Sequence, residues 1–171
     1  MDMQHVDAER LSGVRLADEH LRQALLGHEF LILDGAMGTQ MQARGLAAPG
    51  VVPDLLNFSD PEAITEIHAA YVAAGAEVIT TNTFGANALK LEGRASVDEV
   101  YAAAAACARA AGARYVAGDI GPTGALLEPL GTLSFDAAYE LFAEQVVAAD
   151  RAGCDLILIE TLADLREAKA A

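Results

Sequence analysis

The chain has 171 residues, 53% hydrophobic and 21% charged, which is apolar material enough for the core of one globular domain. It carries 25 acidic against 11 basic residues, a formal charge of -14, and its pI is near 4.4. That balance argues against nucleic acid and anionic membrane surfaces as partners, because both require basic surface.

No apolar run reaches the length of a membrane span. The N-terminus, Met1-Asp2-Met3-Gln4-His5, lacks the basic and apolar regions of a secretory signal. Cys107 and Cys154 suit a reducing compartment, so the expected location is the cytoplasm.

Residues 1–17 are polar and mixed in charge and are expected to form a flexible arm, with one domain over 18–171. Leu21, Leu25 and Leu26 fall at helical spacing, which predicts a short helix from Asp18 to Leu26 ended by Gly27. Phe30-Leu31-Ile32-Leu33-Asp34 reads as a strand buried on both faces, as in a parallel sheet, with Asp34 at its carboxyl end. A helical turn over 38–43 follows, then a long loop over 45–58 of the kind that often carries function.

Asp60-Pro61-Glu62 opens a helix, with a good cap, a proline at the first position and an acid near the positive end. Ile64, Ile67, Tyr71 and Val72 make its apolar stripe. Val78 to Thr81 is the second strand, followed by Asn82-Thr83-Phe84-Gly85. Ser96 and Glu99 form a capping box for an alanine-rich helix that ends at Gly112. The third strand, Tyr115 to Asp119, runs into the turn Ile120-Gly121-Pro122-Thr123-Gly124. A helix over 136–152 follows, with Ala138, Leu141, Phe142, Val146 and Ala149 inward. The fourth strand, Leu156 to Glu160, leads to a helix expected to open on a Thr161-to-Asp164 capping box.

The strand ends Thr81, Asp119 and Glu160 recur at intervals of roughly 40 residues, the span of one unit of a (β/α)8 TIM barrel. About four such units amount to an N-terminal half-barrel. An open doubly wound sheet is the alternative, but Asp34-Gly35-Ala36-Met37-Gly38 has the wrong spacing for a phosphate-binding glycine fingerprint.

In either architecture ligands bind at the carboxyl ends of the strands, where Asp34, Asn82, Asp119 and Glu160 fall. Carboxylates there suit an ammonium group, and an asparagine both donates and accepts. The plainer alternatives are turn-capping aspartates and a solvated glutamate. Cys107 and Cys154 occupy no metal-ligand spacing and read as small buried thiols. None of the four histidines is placed in a catalytic role.

Four motifs, Asp34-Gly-Ala-Met-Gly-Thr39, Thr81-Asn-Thr-Phe-Gly-Ala-Asn87, Gly118-Asp-Ile-Gly-Pro-Thr-Gly124 and Glu160-Thr161, together resemble the homocysteine S-methyltransferases, on the side of the cobalamin-dependent methionine synthases. The resemblance covers residues 20–171. It implies a barrel that binds homocysteine through a zinc thiolate, zinc lowering the thiol pKa so that sulfur attacks a methyl donor. It implies that Asp34 and Glu160 hold the substrate's amino group and that backbone at Gly35 lies against the substrate. Asn82 is carried over on a looser match. Family members bind zinc through three cysteines, one after a later strand and two in a Gly-Gly-Cys-Cys motif, and neither feature occurs here. The expectation is therefore the N-terminal half of the homocysteine module, inactive alone, with methylcobalamin bound by other domains. Its implied partners are a C-terminal half-barrel, cobalamin and folate domains, or a second copy met through open sheet edges.

Overall fold

Three short parallel strands carry the architecture: β1 (Val78–Thr80), β2 (Tyr115–Ile120) and β3 (Leu156–Ile159) pair side by side in chain order. Val78 stands opposite Tyr115, and Ala117 opposite Leu156. The structure is a computed structural model that describes residues 11–171. Most of the expected N-terminal arm, residues 1–10, lies outside the described residues. Residues 11–17 form neither helix nor strand, although Leu11 is buried and Leu16 packs against the sheet.

The helices follow their caps. In α1 (Glu19–Leu25) the Asp18 carboxylate accepts from Leu21 N at 2.9 Å. The same carboxylate accepts from the Tyr115 hydroxyl at 2.6 Å, tying α1 to the start of β2. These hydrogen bonds, Tyr115's the largest cause, hold Asp18 down at a pKa of about 2. A short α2 (Met37–Ala43) and a single-turn α3 (Leu56–Ser59) precede α4 (Pro61–Ala73), where Asp60 caps Ala63 N at 3.2 Å. Another single turn, α5 (Ala88–Leu91), is capped by Asn87. The capping box of Ser96 and Glu99 opens α6 (Val97–Ala110), and Ser134 caps α7 (Phe135–Arg151). The chain closes on α8 (Leu165–Ala170).

The sheet is covered on both faces along β1 and β2, which is why those strands are continuous apolar runs. Alternation sends Val78, Tyr115 and Ala117 toward Leu21 of α1, and Ile79 and Val116 toward Ala105 and Ala108 of α6. Successive long helices pack against one another, α4 on α6, α6 on α7 and α7 on α8. Gly118 lets α7 come close, because a Cβ there would sit 2.8 Å from that of Ala149. No helix of the described residues is long and apolar enough to cross a membrane.

Several expectations are corrected. The segment from Phe30 to Asp34 is no doubly buried strand: only Leu33 bridges, to Val78, and Phe30 is 93% exposed. Among the described residues it has a neighbour on one flank alone, so its apolar side chains find no second surface there. The same holds for β3, whose Ile157 and Ile159 are exposed. Val146 faces solvent; the buried stripe of α7 passes through Gln145 and Ala148 instead. The box of Thr161 and Asp164 does not form, since Asp164 is itself the cap of α8 and accepts from Arg166 N at 2.7 Å. Within the loop over 45–58, a 3-10 turn at Pro53–Leu55 runs into α3.

Candidate functional site

A cavity of about 740 Å³ opens at the carboxyl ends of the strands. It is lined by Asp34, Gly35, Asn82, Asp119 and Glu160, together with Thr80 and Leu158. The structure thus gathers all the rim residues picked out in the sequence. The pleat explains part of this: Asp119 lies two residues beyond Ala117, and Glu160 two beyond Leu158, so each keeps its predecessor's face.

Asp34 is fastened before any ligand arrives. Its carboxylate accepts from Thr80 N at 2.9 Å and from Thr80 Oγ1 at 3.0 Å, while its own N–H donates to Val78 O at 3.0 Å. Burial pushes its pKa up to about 6 against the pull of the Thr80 hydrogen bonds, and the charge of Glu160 adds to the rise. The Asp34 side chain therefore joins the edge segment to β1 rather than capping a local turn. Beside it, Gly35 runs close under Tyr71: a Cβ at Gly35 would lie 3.1 Å from the ring. The Tyr71 hydroxyl donates to Ala36 O at 3.0 Å, which fixes this stretch of backbone at the cavity wall.

Asp119 is 7% exposed, and its Oδ1 has no hydrogen-bond partner among the described residues. Its backbone is held firmly, the N–H donating to Thr81 Oγ1 at 3.0 Å and the carbonyl accepting from Thr83 Oγ1 and the Tyr101 hydroxyl at 2.8 and 2.9 Å. Burial, followed by the charges of Glu160, Asp34 and Asp54, pushes the Asp119 carboxyl up to about 7. A buried carboxylate oxygen without a donor is costly and suits a cationic ligand. Glu160 directly follows β3, its N–H donating to Ile120 O at 3.0 Å and the residue exposed to solvent. The next residue, Thr161, sits in the left-handed region at φ 58, a strained conformation for a β-branched residue.

Asn82 is engaged in structure. Its Nδ2 donates to Pro53 O at 2.8 Å, and its backbone carbonyl accepts from Asn57 Nδ2 at 2.8 Å. Asn57 also donates to Asp54 O at 2.7 Å, so the two amides pin the long loop over the rim. That loop delivers Asp54, which sequence reasoning missed. Asp54 is buried, accepts from Gly85 N at 2.8 Å and has its pKa raised by burial. Lys90, also missed, reaches the cavity from α5. Glu167 of α8 is buried as well, accepting from Thr123 N at 2.8 Å and Thr123 Oγ1 at 2.6 Å, and so supports the turn after β2.

Neither cysteine lines the cavity. Cys107 packs with Met41, Ile64 and Ile67, and Cys154 packs against the clusters under α6 and α7. Burial raises both thiols, Cys154 to about 11, so neither is a ready thiolate. Among the described residues no group of three or more His, Cys, Asp or Glu side chains is arranged to hold a metal ion. The donor set that zinc requires is therefore not met by these residues. His68 is buried in α4 with both ring nitrogens unpartnered among the described residues, and burial holds it neutral, its pKa lowered to about 4.

Comparison with known proteins places this geometry in context. A family model described as homocysteine S-methyltransferase matches residues 31–171. Methionine synthase of Mycobacterium tuberculosis is 33% identical over 175 residues, covering 91% of this chain and 15% of that protein. The metallated form of the homocysteine methyltransferase MmuM from Escherichia coli superposes with a TM-score of 0.70 at 29% identity, covering 86% of this chain and 59% of that one. Its oxidized form gives 0.71 at 28% identity, covering 90% and 60%. The chain thus spans about three-fifths of the length of one relative and a small part of the other. The matched residues include the whole sheet and the rim carboxylates, and the chain belongs to the homocysteine S-methyltransferase family.

Proposed function

We propose that this chain is the N-terminal half of a homocysteine-binding (β/α)8 barrel and holds homocysteine by its ammonium group. The observation that carries the reading is the meeting of Asp34, Asp119 and Glu160 at one cavity, with the buried Asp119 Oδ1 unpartnered among the described residues. The chain order of the parallel strands and the succession of packed helices support the barrel.

Asp34 and Glu160 grip the ammonium, and Asp119 supplies the deepest acceptor. The backbone at Gly35 forms the wall beside the ligand, and Asn82 keeps the loop wall in place. Binding a cation favours the ionised carboxylates, so Asp34 and Asp119 give up whatever protons they hold as the ligand enters. The described residues offer no zinc site, so activation of the thiol is not assigned to them. The complete activity then requires a C-terminal half-barrel and domains that bring methylcobalamin and folate, in a cytoplasmic enzyme that makes methionine.

Two results test this reading. Calorimetric titration with homocysteine should show saturable binding to one site. Incubation of the 171-residue chain with zinc, methylcobalamin and homocysteine should form no methionine, and turnover above the protein-free background would overturn the inactivity.

A second reading rests on the exposed Phe30, Ile32, Ile157 and Ile159, which line the two open sheet flanks. On this reading the half-barrel assembles through those flanks, with a separate C-terminal half or with itself. Light scattering should then show mass rising above that of a monomer with concentration, and a constant monomer mass at high concentration would count against self-assembly.

A further inference from the structure

Lys90 is the one cation lining the cavity among the described residues; the ionisable groups around it there are Asp34, Asp54, Asp119 and Glu160. Its position is built. The Lys90 backbone N–H donates to Asn87 Oδ1 at 3.1 Å, which caps α5. The ammonium lies 5.3 Å from the centroid of the Phe84 ring. Gly124 makes room for the stem, since a Cβ there would meet Lys90 Cε at 2.8 Å.

The head is not paired off. Nζ donates to Pro122 O at 2.7 Å, and Lys90 enters no salt bridge among the described residues, so the rest of its three donors are uncommitted. The two acids whose charge it feels most, Asp54 and Glu167, are already engaged, Asp54 by Gly85 N and Glu167 by Thr123.

An α-amino acid brings both charges on one carbon. If its ammonium sits among Asp34, Asp119 and Glu160, its carboxylate enters a cavity already crowded with negative charge, and repulsion there opposes binding. We propose that Lys90 receives the ligand's α-carboxylate, so that the cavity selects a zwitterionic amino acid over a simple aminothiol. This rests on the ammonium reading above and extends it to the other end of the ligand.

The experiment compares homocysteine with 3-aminopropane-1-thiol, which keeps the amine and the thiol and lacks the carboxylate. Both are titrated into the 171-residue chain and into its K90Q and K90R variants. Gln keeps a donor for Pro122, and Arg keeps the charge. K90Q is expected to weaken homocysteine by about tenfold, leave the aminothiol unchanged, and so abolish discrimination between them. K90R is expected to restore most of the preference. Equal weakening of both ligands by K90Q would make Lys90 a prop for the Pro122 turn and overturn the proposal, as would no change for either. Wild-type chain that binds both ligands equally overturns the Lys90 assignment alone, whereas wild-type chain that binds neither overturns the ammonium reading together with it.

Discussion

Asp34→Asn is expected to weaken homocysteine binding by at least about thirty-fold, because it deletes one charge from a hydrogen-bonded, partly buried ion pair. The carboxylate engages Thr80 through both the backbone N–H and the hydroxyl, and its two oxygens have acceptor capacity left at the cavity that the residue lines. An asparagine cannot serve both sides. If its oxygen faces Thr80, its NH2 confronts the ligand's ammonium; if its NH2 faces Thr80, the backbone N–H loses its acceptor. Thr80→Val separates the two contributions, since it removes the hydroxyl donor and leaves the charge and the backbone bond. It should cost far less affinity. Titration calorimetry on both variants, with circular dichroism to establish folding, measures the difference. Unchanged affinity in Asp34→Asn would remove Asp34 from the ammonium site.

Much of this arrangement was legible in the sequence because it depends on local rules. The caps Asp60 and Ser96 are read from residue type and the spacing to the first helical turn, and each makes its hydrogen bond. An apolar run stopping at an acid places Asp119 and Glu160 at strand ends, and the pleat then sets their face. Neighbour number is not local. Phe30 to Leu33 has the composition of a buried strand, but burial depends on what flanks it, and among the described residues only β1 does. Asp54 and Lys90 escaped for a related reason. Their significance lies in contacts across 31 and 32 positions of sequence, to Gly85 and Pro122, and no short-range pattern announces such pairings. Thr161 misled in another way: spacing to an acid suggested a cap, whereas its left-handed backbone turns the chain away from Glu160 before α8 begins at Leu165.

Asp119→Asn is expected to stabilise the chain at neutral pH by on the order of 2 kcal/mol while weakening homocysteine binding. The sign follows from the proton balance. Folding raises the Asp119 pKa from 3.8 to about 7, so between those values the folded state holds a proton that the unfolded state has released. Stability therefore falls as pH rises through that window, and above about pH 7 the full penalty persists. The asparagine variant carries no such penalty. The two proteins should be equally dependent on urea near pH 4, diverge up to about pH 7, and keep a constant gap beyond it. Asp34 adds a slope of the same sign up to about 6, but it does so in both proteins and largely cancels in the difference. Asp18, lowered to about 2, acts on the acid side of the window. The expected gap is smaller than the whole shift would give, because Glu160 and Asp34 share the repulsion and relax when one charge is removed. Urea midpoints across this pH range decide the matter, and a gap that does not grow between about pH 4 and 7 would mean that Asp119 titrates as an ordinary surface carboxylate. The opposite changes in stability and affinity identify a residue kept for its ligand: its buried oxygen destabilises the empty cavity and is relieved by the arriving ammonium.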